Sequence, residues 1–217
     1  MKTNGELQKD VINAIKWERS LEEAEIGVTA KSGVVTLSGV VDSYSKKLRA
    51  ENAAKNIHGV KALAVGISVD YGFFFKKNDT EIAAEIINVW KYNWEVPNDR
   101  IKVKVEDGWA FLEGEVTWKF QEEASEAAIM NLLGVKGITN LITVKSLAND
   151  ILDKVDIENA FIRNWGINAR DIKVEVDHYN VRLSGTVHSL HQKDEAGRLA
   201  WNANGVSSVN NELTVIH

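Results

Sequence analysis

The chain has 217 residues, 44% hydrophobic and 26% charged, which suits a folded protein of one large domain or two to three small ones. Its formal net charge of −5 argues against general nucleic-acid binding, which needs a basic surface to release phosphate counterions. It has no cysteine, so disulfides, thiolate metal sites and cysteine nucleophiles are all excluded.

The opening stretch MKTNGELQKDVINAIKWERS reads as an amphipathic helix, without an apolar signal-peptide core or a small-residue cleavage site. No stretch approaches the roughly 20 apolar residues of a membrane span. The expectation is therefore no transmembrane segment, with a cytoplasmic chain as the sequence stands and a periplasmic one if a signal peptide has been removed.

The helix buries Val11, Ala14 and Ile15 at helical spacing. Alternation follows at Ile26, Val28 and Ala30, and a turn leads into a second strand, VVTLSGVV. A second helix carries Ala50, Ala53, Ala54 and Ile57. Gly59 is predicted to end it, where a left-handed cap suits a residue without Cβ. A last strand alternates at Leu63, Val65, Ile67 and Val69.

The same layout then recurs twice. WAFLEGEV and NVRLSGTV repeat the Leu-x-Gly-x-Val of the first unit, with Gly39, Gly114 and Gly185 in register at offsets of 75 (114 − 39) and 71 (185 − 114). The same offsets align Gly59, Gly134 and Gly205, each followed by valine. Gapless agreement of this kind is a strong repeat signal. The second unit has Ile86, Val89 and Trp90, then Ile101, Val103 and Val105, then Ser125, Ala128, Ile129 and Leu132. The third has Ile157, Ala160 and Phe161, then Ile172, Val174 and Val176, then Ala196, Leu199, Ala200 and Ala203. Ile138 to Val144 and Val209 to Val215 supply the last strands. The predicted fold class is α+β: three tandem α-β-β-α-β domains over 1–72, 78–146 and 149–217. Each is a three-stranded mixed sheet with two helices on one face.

VTLSGVV, the Lys- and Ala-rich KKLRAENAAKNIHGV and ISV together resemble the BON domain family (bacterial OsmY and nodulation). VRLSGTV with KDEAGRLAWNANGVSSVNNELTV matches the pattern more fully. The resemblance covers nearly the whole chain and rests on core positions and structural glycines. It implies a role in osmotic and envelope stress, with phospholipid binding.

No catalytic constellation stands out, and neither cofactor nor metal is expected. His188 and His191 form an H-x-x-H across a predicted strand-to-helix junction, best read as a solvated turn. Ser38 and Ser184 precede the strand glycines, but Glu113 stands there in the second unit, so no nucleophile is implied. Gly39, Gly114 and Gly185 suit a bulge or a close backbone approach under a helix. Trp94 and Trp165 align after the first helix of their units and read as core or domain-edge packing.

Surface features carry the remaining signal. Residues 1–77 hold 12 Lys+Arg and 9 Asp+Glu, net +3; residues 78–146 hold 7 and 12, net −5; residues 147–217 hold 7 and 10, net −3. Alternation puts Gly27, Thr29, Val34, Thr36, Ser38, Val40, Ala64, Gly66 and Ser68 on the first sheet's open face, none of them charged. The matching face of the second unit carries Lys102, Lys104, Trp109, Phe111, Glu113 and Glu115; that of the third carries Lys173, Glu175, Arg182 and Glu212. An uncharged face of small residues suggests a cover: another domain, a second chain or lipid.

YGFFFKK, after the first unit, is the second candidate. Phe73, Phe74 and Phe75 would wedge between domains, or insert into a membrane or partner with Lys76 and Lys77 at headgroup level. Two lysines add little anchoring, about 1 kcal/mol each near an anionic surface, which favours packing. The expected function is a non-enzymatic binding or scaffolding protein whose partner is phospholipid or protein. The candidate contacts are Phe73, Phe74, Phe75, Lys76, Lys77, Thr36, Ser38 and Val40. The alternative is a protein–protein interaction module that never meets lipid.

Overall fold

The computed structural model describes residues 2–72, 77–145, 154–164 and 166–216. Three α-β-β-α-β copies follow one another. The first contains α1 (Asn4–Trp17), β1 (Ile26–Lys31), β2 (Val34–Val41), α2 (Tyr44–Lys55) and β3 (Ala62–Val69). The second contains α3 (Asp79–Lys91), β4 (Ile101–Glu106), β5 (Trp109–Val116), α4 (Lys119–Ala127) and β6 (Gly137–Val144). The third contains α5 (Lys154–Arg163), β7 (Ile172–Asp177), β8 (Asn180–Val187), α6 (Leu190–Trp201), β9 (Ser208–Asn211) and β10 (Thr214–Val215).

The helices begin where side chains satisfy free backbone donors. Thr3 and Glu6 form a capping box on α1, and Asn78 and Glu81 form one on α3. Before α4 and α6 a glutamine reaches back instead. Gln121 Oε1 accepts from the Thr117 and Trp118 amides, and Gln192 Oε1 accepts from the His188 amide at 2.8 Å. The first two hairpins turn on Ser32–Gly33 and Asp107–Gly108, every residue at positive φ, which matches the twist of the flanking strands.

In each copy the middle strand is the Leu-x-Gly-x-Val segment, with sheet orders β1-β2-β3, β4-β5-β6 and β7-β8-β9/β10. β4 runs antiparallel to β5, and β6 parallel to β5. Both helix layers pack on the same sheet face. The second core joins Ile82, Ile86 and Trp90 of α3 to Ala110, Leu112 and Val116 of β5 and Ile142 of β6. The third core joins Ile157 and Phe161 to Val174, Val181, Leu183, Ala196 and Ala200.

Three details differ from the sequence reading. First, the second helices end before their glycines: α4 stops at Ala127, and its chain tightens into three-residue turns, with the Ile129 amide on the Glu126 carbonyl at 3.1 Å and the Leu132 amide on the Ile129 carbonyl at 3.0 Å. Ile129 stays buried all the same. Second, the last strand of the third copy comes in two pieces. Both hold one register on β8, Asn180 opposite Ser208 and Thr186 opposite Thr214, so no residue is inserted. The break follows Asn211, whose side chain turns onto its own backbone, accepting from the Leu213 amide and donating to the Lys193 carbonyl at 2.7 Å.

Third, Gly114 and Gly185 answer to a backbone approach that comes from a different neighbour. A Cβ on Gly114 would stand 2.3 Å from the Arg100 carbonyl oxygen, and one on Gly185 2.1 Å from that of Asp171. In the second and third copies the segment entering the first strand, rather than either packed α-helix, closes on the glycine.

By contacts the chain divides into two compact units: Met1–Ser38, Arg49–Gly66 and Leu147–His217 in one, Gly39–Leu48 and Ile67–Ser146 in the other. In the first, Lys55 pairs with Asp194 at 2.8 Å and the Gly59 amide donates to the His188 carbonyl at 3.3 Å. In the second, Tyr44 belongs to the core of the second copy. Within the third copy, Glu195 accepts from Arg198 Nε and Nη2 at 2.7 Å each and from Asn164 Nδ2 at 3.0 Å.

The Arg198 guanidinium holds the Glu195 carboxyl below its ordinary value of 4.5, against the opposing effect of burial. A lowered folded-state pKa gives stability that is present above the ordinary carboxylate value and lost as pH falls through the lowered one. Acid melts should therefore show Glu195→Gln flattening the pH dependence of the third copy below pH 4.5. Equal acid sensitivity of the two proteins would remove Glu195 from the account.

Candidate functional site

A cleft of about 610 Å³ opens in the second unit beside the end of β3 and the start of α3. Tyr71 forms one wall, its hydroxyl donating to the Val135 carbonyl at 2.6 Å, and burial pushes its phenol above the ordinary range. Asp79, at the first turn of α3, accepts from the Asp107 and Gly108 amides at 2.9 Å each and so ties the β4–β5 turn to the helix. Lys77 pairs with Glu85. Lys77 and Asp79 are thus engaged with the fold itself. The arrangement ties the turn to the helix, and among the described residues it sets no nucleophile beside a base.

Of the residues singled out by sequence, Phe73, Phe74, Phe75 and Lys76 lie outside the described residues. Lys77 is half-buried and held by Glu85. Thr36, Ser38 and Val40 are all exposed along β2. With them on the open face, Gly27, Thr29, Val34, Ala64 and Gly66 are exposed too, and so is Lys31, which ends β1 at the position aligned with Glu106 and Asp177. Gly27 lies against Ser38, where a Cβ would come within 2.8 Å of the Ser38 hydroxyl oxygen.

The open faces of the other two copies are charged and internally paired: Lys104 with Glu106 at 2.9 Å, Lys145 with Glu115 at 3.5 Å, Lys173 with Glu175 at 2.5 Å and Arg182 with Glu212 at 3.6 Å.

Gly39, Gly59, Gly114, Gly134, Gly185 and Gly205 all have positive φ. Two expectations change, at Trp94 and at His188. Trp94 is 87% exposed, because the chain turns tightly after α3, the Asn93 amide bonding the Trp90 carbonyl at 3.1 Å. Trp165 lies outside the described residues. His191 is exposed as a solvated turn requires, but His188 is not: its ring meets that of His58 edge-on at 4.4 Å, and its buried Nδ1 has no hydrogen-bond partner. Among the described residues no group of three histidines and carboxylates is placed to hold a metal ion, and no helix is long and apolar enough to cross a membrane.

The contact of Trp109 with Gly137 was missed by sequence reasoning, although a signal existed. The Trp109 ring lies on Gly137, its cross-strand partner, and Lys47 stands 5.6 Å above that ring. At the aligned pairs the third copy has Asn180 with Ser208, and the sequence puts Val34 with Ala62 in the first. A glycine stands only where the partner is a tryptophan.

Comparison with known proteins follows the same division into copies. The family model of the BON domain matches residues 3–71, 78–146 and 154–217. Osmotically-inducible protein Y of Escherichia coli (strain K12) is 29% identical over 194 residues, which is 89% of this chain and 63% of that protein. The chain thus spans less than two thirds of that relative. Two solved structures of CdsD, a structural protein of the type III secretion system of Chlamydia trachomatis, align at 13% and 12% identity over 96% and 100% of this chain. They cover 91% and 100% of their own chains, with a TM-score of 0.25 each. The repeated core positions and the three family matches over nearly the whole length lead to one assignment: the chain belongs to the BON domain family, as three tandem copies.

Proposed function

We propose that this is a non-catalytic binding protein of envelope and osmotic-stress physiology, and that its first copy docks onto phospholipid through its open sheet face. The observation that carries the reading is the contrast between faces. The first copy exposes Gly27, Thr29, Val34, Thr36, Ser38 and Val40 without a charge among them, its charges on that side lying at the strand ends, Lys31 and Asp70, while the same faces of the other copies carry ion pairs along the strands. Residues 1–77 are also the basic part of the chain, net +3, which suits an anionic surface. The link to osmotic stress comes from the family and from the osmotically inducible relative.

A second reading rests on the size of the same side chains. Glycine, serine, threonine and alanine do not penetrate an acyl layer, but they allow a protein surface to approach closely. On that reading the first copy is an interaction module that never meets lipid.

Co-sedimentation of the intact chain with neutral and anionic vesicles separates the two. The lipid reading expects binding to anionic vesicles, weakened by salt, and its loss in the Val34→Asp, Thr36→Asp double variant with melting unchanged. Both positions are exposed, so the fold is not at stake. Absence of binding to either vesicle sinks the lipid reading and leaves the protein partner, to be sought with the same variant as the control.

A further inference from the structure

β4 and β7 hold the same place in their two copies. Each ends its sheet, and each pairs with the middle strand in one register, Ile101 opposite Gly114 and Ile172 opposite Gly185. Among the described residues no strand pairs with the outer side of either. Such an edge presents free N–H and C=O groups to a chain that can match it, guarded otherwise by proline, a bulge, shortness or charged side chains, lysine above all, which only a partner of complementary charge relieves. These edges are six residues long, IKVKVE and IKVEVD, and contain neither proline nor bulge.

Laid antiparallel, the two edges complement each other. On the open face Lys102 meets Asp177, Lys104 meets Glu175 and Glu106 meets Lys173, while on the core side Val103 meets Val176 and Val105 meets Val174. All six charged residues are exposed. Self-pairing in the full register lacks this match: β4 on β4 sets Lys104 against Lys104, and β7 on β7 sets Glu175 against Glu175. Like charges directly opposite are unfavourable in a sheet.

The backbone agrees. Because the two strands have equivalent registers on their own sheets, residues that face each other belong to one hydrogen-bonding class, as an antiparallel ladder requires. The existing pairs within each strand, Lys104 with Glu106 and Lys173 with Glu175, are solvent-exposed and so contribute little that re-pairing would lose.

Apolar surface lies at both edges. A groove of about 600 Å³ between α3 and β4 is lined by Ile87, Ile101 and Val103. Its counterpart between α5 and β7, about 390 Å³, is lined by Phe161, Ile162 and Ile172. Ile87 is 59% exposed and Ile162 71%. Antiparallel pairing keeps both helices on one side of the joined sheet, so these side chains would come together.

We propose that the protein self-associates through its sheet edges, β4 of one molecule adding antiparallel to β7 of a second. The contact is heterologous. Each molecule keeps one free edge, so the assembly either closes into a ring or continues as a polymer.

Sedimentation velocity of the full chain over a concentration series, at low and moderate salt, is the test. The expected result is mass that rises with concentration and falls back with salt. Lys102→Glu with Lys104→Glu should remain monomeric at concentrations where the wild type associates, and so should Glu175→Lys with Asp177→Lys. An equimolar mixture of the two variants should regain association, since the native β7 of one then meets the native β4 of the other, and reversed β4 meets reversed β7. A wild type that stays monomeric throughout at low salt overturns the proposal, as does association that neither reversal changes. The native chain has no cysteine, which permits a second readout. Lys104→Cys mixed with Glu175→Cys should form the mixed disulfide in preference to either homodimer, because facing residues of a ladder lie within disulfide reach. No preference for the mixed species also overturns it.

Discussion

Trp90→Ala should destabilise the second copy by about 3–5 kcal/mol, the usual cost of emptying a large aromatic site in a core. The side chain is 2% exposed and packs between α3 and the sheet in the second core. Its indole Nε1 also donates at 2.9 Å to the carbonyl of Ser125, a fully buried residue near the end of α4. Removing the ring leaves a cavity and an acceptor without its donor, and the second loss alone is worth about 1–3 kcal/mol. Against a total stability of about 5–15 kcal/mol for a domain, the sum is severe. Hydrogen exchange locates the damage: protection should collapse across β4, β5 and β6 and persist in β7 and β8. Trp90→Phe is the control, because the third copy carries Phe161 at the aligned position. It keeps most of the volume, so its cost should be confined to the orphaned carbonyl. Wild-type melting of the alanine variant would mean that the ring is not part of the core.

Gly114→Ala and Gly185→Ala form the second large prediction, and they should behave alike. A methyl group at Gly114 would meet the Arg100 carbonyl oxygen at 2.3 Å and Ile101 Cα at 2.9 Å, with φ at +145°. At Gly185 it would meet the Asp171 carbonyl oxygen at 2.1 Å, with φ at +115°. Both obstacles are backbone, which cannot swing away as a side chain can. Overpacking costs about 1–3 kcal/mol, and holding alanine at such a φ adds about 1–3 kcal/mol. Gly5→Ala is the internal contrast. It lies in α1 with nothing within 4 Å of its added Cβ. That change should be neutral or stabilising by about 0.5–1 kcal/mol. Thermal melts of the three variants check the ranking, and equal melting temperatures would contradict it.

The candidate site was legible unevenly. Alternation along β1, β2 and β3 placed Thr36, Ser38 and Val40 on one face, and their exposure agrees, because side-chain direction in a strand has a period of two and needs no tertiary information. The charged faces of the other copies were readable for the same reason. Trp94 was not. Its alignment with Trp165 suggested packing, but a residue just past a helix end goes where the following turn takes it, and here the turn leads outward. His188 erred in the opposite direction. A turn position beside His191 looked solvated until a ring from the first copy, His58, came against it.

By itself the sequence determined the number of copies, their α-β-β-α-β order, the buried face of the strands apart from Val65, which stands exposed in β3, and the family. These follow from local periodicity and from repetition, which compare residues within one segment or at a fixed offset. The tertiary structure alone decided three further matters. It showed which carbonyl closes on Gly114 and Gly185, that Tyr71 and Tyr44 of the first copy belong to the unit of the second, and that β4 and β7 end their sheets with matching edges. Each depends on a partner distant in sequence, and the pattern of one segment does not carry the identity of the surface it will meet.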